Sequence, residues 1–235
     1  MPVSDAVAPS PSACAVPLRN GPDGLELLMV RRNPNSSAFA GAWTFPGGHI
    51  DAGDQGGGGV DEKVAARRAA VREAQEEAGL EIDPEGMIFV SRWTTPECFS
   101  RRFRTWFFLT DGGDRPVRID GAEIVDHRWI TPADALAGQG AGKMELPPPI
   151  FVLTTILSAH RETDAAYDYF RRTKPLVLTP RIATVPGGLC FLYPEDAGYT
   201  ASDPESPGPR HRLWALKSGW RYVPPTDSQS PHPCR

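Results

Sequence analysis

Short apolar runs separated by turn residues mark the first half of the chain. A strand is expected at Cys14–Leu18 and another at Leu25–Arg31, joined across the turn cluster Asn20-Gly21-Pro22-Asp23-Gly24. Asn33 to Gly41 reads as a loop. Ala42-Trp43-Thr44-Phe45 is a short apolar piece that Pro46-Gly47-Gly48 breaks. From Val60 to Ala78 the chain is Ala-rich and charged, with neither Gly nor Pro, which predicts a helix. Asp61 and Glu62 suit its first turn and Gly79 its end. Strands are expected at Met87–Thr94 and Phe103–Thr110 around the loop Pro96–Arg102, and shorter ones at Val117–Ile119 and Val125–Ile130. Helices follow at Pro132–Leu136, at Ile150–His160 behind three prolines, and at Thr163–Arg172. The final sixty residues are rich in Pro and Gly, with strand-like pieces at Gly188–Tyr193, His211–Lys217 and Trp220–Val223.

Composition bounds the function without choosing it. A chain of 235 residues with ordinary apolar and charged fractions is expected to hold one domain plus an extension. Residues 1–12, rich in Ala, Pro and Ser, read as a disordered tail, 13–160 as the domain and 161–235 as an extension of unassigned role. A net charge of −4 gives no electrostatic footprint for nucleic acid. No apolar stretch reaches transmembrane length, and the N-terminus lacks the cationic start of a signal peptide, so no membrane partner and a cytoplasmic location are expected. The four cysteines form no CxxC pair, which removes the signature of a zinc or thioredoxin-like site.

The informative stretch is Arg72-Glu73-Ala74-Gln75-Glu76-Glu77-Ala78-Gly79-Leu80. On a helix Glu73, Glu76 and Glu77 stand at i, i+3 and i+4 and share a face. Three carboxylates so placed repel one another unless solvent or a cation offsets them. A hard cation such as Mg2+, which takes oxygen ligands at roughly 2.0–2.1 Å and keeps waters for substrate phosphates, fits the need. Taken alone, the stretch also reads as a solvated acidic helix end. Two features favour the metal reading: the side-chain-free turn Pro46-Gly47-Gly48 before the helix, and the distal carboxylate Glu123.

These residues resemble the Nudix box, which reads Gly, five residues, Glu, seven residues, Arg-Glu, an apolar residue, any residue, Glu-Glu, any residue, Gly, apolar. Arg72 through Leu80 match its second half completely. Gly48 and Asp54 match its first half, with Asp where the family has Glu. Seventeen residues separate Asp54 from Arg72 instead of seven, so the box carries a ten-residue insertion containing the run Gly56–Gly59. An interrupted box, together with Trp93–Glu97 and Arg101-Arg102-Phe103, resembles the coenzyme A diphosphatase branch.

The resemblance implies an α/β fold: an α/β/α sandwich with a mixed sheet, here with a C-terminal extension of short strands. It implies a diphosphatase that uses Mg2+, with Mn2+ as the alternative, on a nucleoside-diphosphate-type small molecule. Coenzyme A or acyl-coenzyme A is the first candidate substrate, and a homodimer is a common state of relatives. The implied metal ligands are Glu73, Glu76, Glu77 and the Gly48 carbonyl. Arg72 fixes the carboxylates, Glu73 orients water or ligates, and Glu123 is a distal ligand or general base. Arg101, Arg102 and His49 are candidate substrate contacts, and Trp93, Phe99 and Trp106 candidate stacking aromatics. Two arrangements would repair the interrupted box. Either Asp54 still reaches Arg72 with the insertion looped out, which four glycines favour, or Asp61 or Glu62 takes its place. The competing function is a Nudix-like sensor that binds a nucleotide with little or no hydrolysis; the retained glutamates weigh against it.

Overall fold

The structure is a computed structural model and describes residues 7–56, 59–114 and 116–225. In chain order the elements are β1 (Ser10–Gly21), β2 (Gly24–Arg32), β3 (Trp43–Thr44), β4 (Gly47–His49), α1 (Glu62–Ala78), β5 (Ile88–Thr94), β6 (Phe103–Asp111) and β7 (Ile124–Ile130). They continue with α2 (Pro132–Gly140), α3 (Pro148–Leu157), α4 (Thr163–Arg172), β8 (Leu176–Leu178), β9 (Arg181–Val185), β10 (Gly188–Leu192), β11 (Arg212–Leu216) and β12 (Gly219–Val223).

The main sheet runs β3-β2-β1-β6-β5-β8, with β4 paired to β1 and β7 to β2. It is mixed: β1 pairs with β6 and β5 with β8 in parallel, and the other pairs are antiparallel. Its central strands are apolar on both faces, and the period of two divides them cleanly. Ala13 and Ala15, Leu28, and Trp106 and Phe108 face one core with α1. Val16 and Leu18, Leu27 and Met29, and Phe107 and Leu109 face the other with α3 and α4. That is the expected α/β/α sandwich.

Helix α1 sits against the sheet through Ala65, Ala66, Ala69, Ala70, Ala74 and Ala78. Alanines opposite Ala13 and Ala15 let helix and sheet pack closely without voids, which sets the depth of every residue on the helix's next face. Asp61 caps the start by accepting from Lys63 N at 2.8 Å. At the other end Gly79 takes a left-handed φ of 67° and donates to Gln75 O at 3.0 Å, while Leu80 N reaches Ala74 O at 3.1 Å.

Several expectations need correction. β1 begins at Ser10, so residues 10–12 belong to the sheet rather than to a tail; Ser12 Oγ lies 2.7 Å from Thr105 Oγ1 on β6. Of the rest of that tail, Met1–Ala6 lie outside the described residues, and Val7 is held by Arg102 Nη1, which donates to its carbonyl at 2.8 Å. Val117–Ile119 forms no strand. Arg118 N instead donates to Ala78 O at 2.9 Å, so the segment satisfies a carbonyl at the end of α1. Residue 160 is not a packing boundary: Ala166, Phe170 and Leu178 lie in the main core, and so do Tyr193 and Leu213 from the C-terminal stretch. The extension adds β8 to the main sheet and a second sheet, β12-β11-β10-β9. Among the described residues no helix is long and apolar enough to cross a membrane.

Candidate active site

The close seat of α1 brings its last two turns against β4. Gly47 and Gly48 are required here by space. A Cβ on Gly47 would stand 2.3 Å from Ala13 O, and one on Gly48 2.4 Å from Glu73 Oε1. The bare backbone therefore lies directly under the carboxylates; the segment expected as a loop after Phe45 is in fact the short strand β4, paired to β1. Gly47 N donates to Glu77 Oε2 at 2.8 Å.

Arg72 organises the rest. Its Nη2 donates to Asp54 Oδ2 at 3.0 Å and to His49 O at 2.9 Å, while Nη1 reaches Glu73 Oε1 at 2.9 Å and Glu76 Oε2 at 3.0 Å. One planar guanidinium thus gathers three carboxylates and the strand backbone. The hydrogen bonds that Arg72 donates to Asp54, with help from Glu73, hold Arg72 above its ordinary pKa although burial opposes this. Asp54 is buried and closes a tight turn by accepting from Asp51 N at 2.8 Å, and Arg68 Nη1 donates to Asp54 O at 3.2 Å. Of the two repairs considered, the structure shows the first. Asp54 reaches Arg72 across the interrupted box, while Glu62 is engaged elsewhere, 2.7 Å from Arg104 Nη2. Of the glycine run, Gly57 and Gly58 lie outside the described residues.

The charges on this face are poorly compensated. Glu77 is buried, and its Oε1 has no hydrogen-bond partner; Arg32 Nη1 lies 3.6 Å away, an ion-pair distance only. Burial pushes the Glu77 carboxyl up to about 8, against the pull of Gly47 N and Arg32, and Glu73 and Glu123 add to the rise. Burial also raises Glu73 above the usual carboxylate range, with Glu76 and Glu123 contributing, despite the lowering effect of Arg72. Arg32 Nη2 stands 3.8 Å from Glu123 Oε2, so one arginine spans the near and the distal carboxylates. Sequence reasoning missed Arg32. It is an ordinary cation at the end of a strand until the β2–β7 pairing carries Glu123 beside it.

The other expected residues sort differently. Glu76 is exposed at the rim, held by Arg72. His49 is exposed, its ring 5.8 Å from that of Phe103. Arg101 is exposed and donates to Ser37 O. Arg102 is buried and spends its donors on Thr95 O and Val7 O, so it braces the entry to β1 rather than facing a ligand. Trp93 and Trp106 are core residues; Phe99 is exposed. Among the described residues no three acidic, histidine or cysteine side chains are arranged as a closed metal cage. Arg72 draws Glu73 and Glu76 toward itself, which accounts for the open arrangement.

A NUDIX domain model matches residues 8–146. The chain belongs to the Nudix family of hydrolases. The human acyl-coenzyme A diphosphatase NUDT19 is 25% identical, over 60% of this chain and 63% of that protein. The Xenopus laevis protein of the same name is 29% identical, over 47% of this chain and 33% of its own length. The alignments thus span less than two thirds of these curated relatives. Among solved structures, a NUDIX hydrolase from Alicyclobacillus acidocaldarius superposes with a TM-score of 0.61 at 21% identity, covering 68% of this chain and 96% of that one. This last likeness is one of fold. The resemblance to the coenzyme A diphosphatase branch, first read from the interrupted box, agrees with the two curated relatives.

Proposed function

We propose that this Nudix chain hydrolyses the diphosphate linkage of a nucleotide-derived small molecule with Mg2+, and that coenzyme A or acyl-coenzyme A is its substrate class. One observation carries the reading: Arg72 collects Asp54, Glu73 and Glu76 at one end of α1, beside a buried Glu77 oxygen left without a hydrogen-bond donor. A buried acceptor without a partner is costly, and a surplus of carboxylates raised by burial suits a divalent cation. Glu73, Glu76, Glu77 and the Gly48 carbonyl would hold it. When bound, the ion supplies charge neutralisation for the diphosphate and positioning for water.

The chain's own groups account for the rest. Asp54 fixes Arg72, and Arg72 fixes the directions of Glu73 and Glu76. Glu123 is exposed and faces the same site, since its charge acts on both Glu73 and Glu77. It is placed to take a proton from water, directly or through one further water. The water oxygen bonds to one phosphorus, the bond from that phosphorus to the bridging oxygen breaks, and the bridging oxygen leaves with the second phosphate. Arg32, between Glu77 and Glu123, offers a cation to the charge that develops there. The named substrate class rests on the interrupted box and on the two diphosphatase relatives.

The test is hydrolysis across a panel of diphosphate compounds with Mg2+, wild type beside Glu76→Gln, with products identified by mass. Coenzyme A giving 3′,5′-ADP and 4′-phosphopantetheine, in wild type only, supports both parts. Cleavage of a different diphosphate keeps the reaction and overturns the substrate class. Binding of a nucleotide with no cleavage of any compound overturns the hydrolase reading in favour of a sensor.

A further inference from the structure

The loop between β2 and β3 carries an unusual residue. Phe39 has a positive φ of 51°, a costly conformation for a bulky side chain, and the residue is 51% exposed. Neither feature serves the core. The ring instead lies 5.9 Å from that of Phe103, and the His49 ring lies 5.8 Å from the same Phe103 ring. Three rings from three separate segments therefore form a continuous row on the surface. The row joins the carboxylate site directly. His49 follows Gly48, whose Cα underlies Glu73, and the His49 carbonyl accepts from Arg72 at 2.9 Å.

The loop that presents Phe39 is tied at its start and in its middle. Asn33 donates through N to Glu123 O and through Nδ2 to Ala122 O, both at 2.8 Å, and Arg101 donates to Ser37 O. Arg101 is thereby a loop anchor. These bonds hold the strained residue in place beside the diphosphate position.

We infer that Phe39, Phe103 and His49 form an aromatic shelf that receives the flat heterocyclic base of the substrate, so that base and diphosphate are bound by adjoining parts of one surface. The inference rests on the hydrolase reading for the position of the diphosphate, and it assigns the base, which the carboxylates leave unassigned. Aromatic rings at the surface offer their faces to a base with little side-chain entropy to lose, and a base of any sequence or type presents a π-face. His49 adds a donor or acceptor at the end nearest the phosphates. The observations disfavour the more obvious aromatics, because Trp93 and Trp106 have their rings in the core.

The decisive variant is Phe39→Gly. Glycine accepts a positive φ without strain, so removing the ring should leave the melting temperature unchanged or raise it. Binding is measured by calorimetry with two probes in excess Mg2+: the methylene-bridged analogue of ADP, which presents base and diphosphate without a cleavable bridge, and inorganic pyrophosphate, which has no base. Phe39→Gly and Phe103→Leu should each weaken the ADP analogue, by roughly tenfold for loss of a stacking partner, and leave pyrophosphate unchanged. Equal weakening of both probes would make the loop a brace for the phosphate site and overturn the shelf. No change with either probe would overturn it as well, as would a wild-type chain that binds the ADP analogue no better than pyrophosphate. Hydrolysis reads the two proposals apart: shelf variants should raise KM with kcat nearly unchanged, whereas absence of hydrolysis in wild type would strike the proposed activity and leave the binding comparison standing.

Discussion

Two sites of buried charge among the described residues, one in the C-terminal sheet region and one on α1, are built on opposite rules. In the C-terminal sheet region Arg212 and Asp196 form a two-pronged pair at 2.7 and 2.6 Å, their side chains 3% and 0% exposed. Asp196 also accepts from Gly198 N and His211 N, both at 2.8 Å, and Arg212 Nη1 donates to Pro204 O at 2.7 Å. This pair ties the loop between β10 and β11 to the start of β11, and its polar atoms are met. At the site on α1 the carboxylates of Asp54, Glu73, Glu76, Glu77 and Glu123 outnumber the guanidiniums of Arg32 and Arg72, and a buried Glu77 oxygen has no hydrogen-bond partner. Where a buried charge exists to hold the chain, its partners are complete. Where partners are missing, as at Glu77, the deficit is what the proposed cation would fill.

The comparison breaks first on the C-terminal side. Asp196→Ala leaves Arg212 buried without its carboxylate and should cost about 3–5 kcal/mol in urea unfolding. Its pH dependence follows from the same contacts. Burial opposes ionisation of Asp196, but the Arg212 hydrogen bond and the backbone donors His211 N and Gly198 N outweigh it and hold the carboxyl below its ordinary value. A lowered carboxylate stabilises the fold above its unfolded pKa, and the contribution is lost as pH falls through the folded one. Acid unfolding of wild type should therefore show a loss of stability beginning near the ordinary aspartate value of 3.8 and growing below it. The Asp196→Ala protein should lack that part of the acid slope. Equal slopes in the two proteins would mean that the pair contributes nothing through ionisation.

On α1 the same kind of change should do the reverse. Glu77→Gln keeps the shape and an oxygen for Gly47 N but removes a charge that burial already disfavours, with the carboxyl pushed up to about 8. In chelator at neutral pH the variant should be at least as stable as wild type. Its hydrolysis should fall on the order of a hundredfold or more, the upper end of what even outer-shell partners of a metal cost. A variant that loses several kcal/mol of stability instead would place Glu77 with Asp196 as a structural charge.

What was legible in the sequence depended on distance along the chain. Arg72, Glu73, Glu76 and Glu77 lie within two helical turns, so spacing alone put them together. Asp54 was legible across seventeen residues from its place after Gly48 in the box, and the intervening glycines favoured a looped-out insertion over a substitute from Asp61 or Glu62. Arg32 meets Glu77 and Glu123 only after β2 has paired with β7, and no local pattern announces that. Phe39 and Phe103 stand apart in sequence for the same reason. Arg102 shows the opposite error: its neighbour Phe103 begins a strand, and alternation turned the arginine inward to the carbonyls of Thr95 and Val7 rather than outward. Val117–Ile119 has strand-like side chains, yet its backbone is spent capping α1.

Smaller changes sharpen the contrast within the α1 site itself. Asp54→Asn removes the charge that fixes Arg72 without touching a proposed ligand. By titration calorimetry with Mg2+, affinity should fall roughly ten- to hundredfold, the usual cost of losing an outer-shell partner. Asp54→Glu, which restores the family's residue, should bind better than Asn. If Asn and wild type bind alike, the long reach from Asp54 to Arg72 is packing alone.

The smallest expected effect separates the helix from its chemistry. Asp61 caps α1 through Lys63 N and stands two turns or more from the carboxylates. Asp61→Ala should cost about 1 kcal/mol of stability, the ordinary value of an N-cap, seen as a shift of the urea midpoint with an unchanged slope. Mg2+ affinity and kcat should stay as in wild type, because the Ala face seats α1 on the sheet independently of its first turn. A loss of Mg2+ affinity comparable to that of Asp54→Asn would mean that the depth of α1 is set from its N-terminus. The close fit of Ala65 to Ala78 against the sheet would then no longer explain how Glu73 and Glu77 come to rest over Gly47 and Gly48.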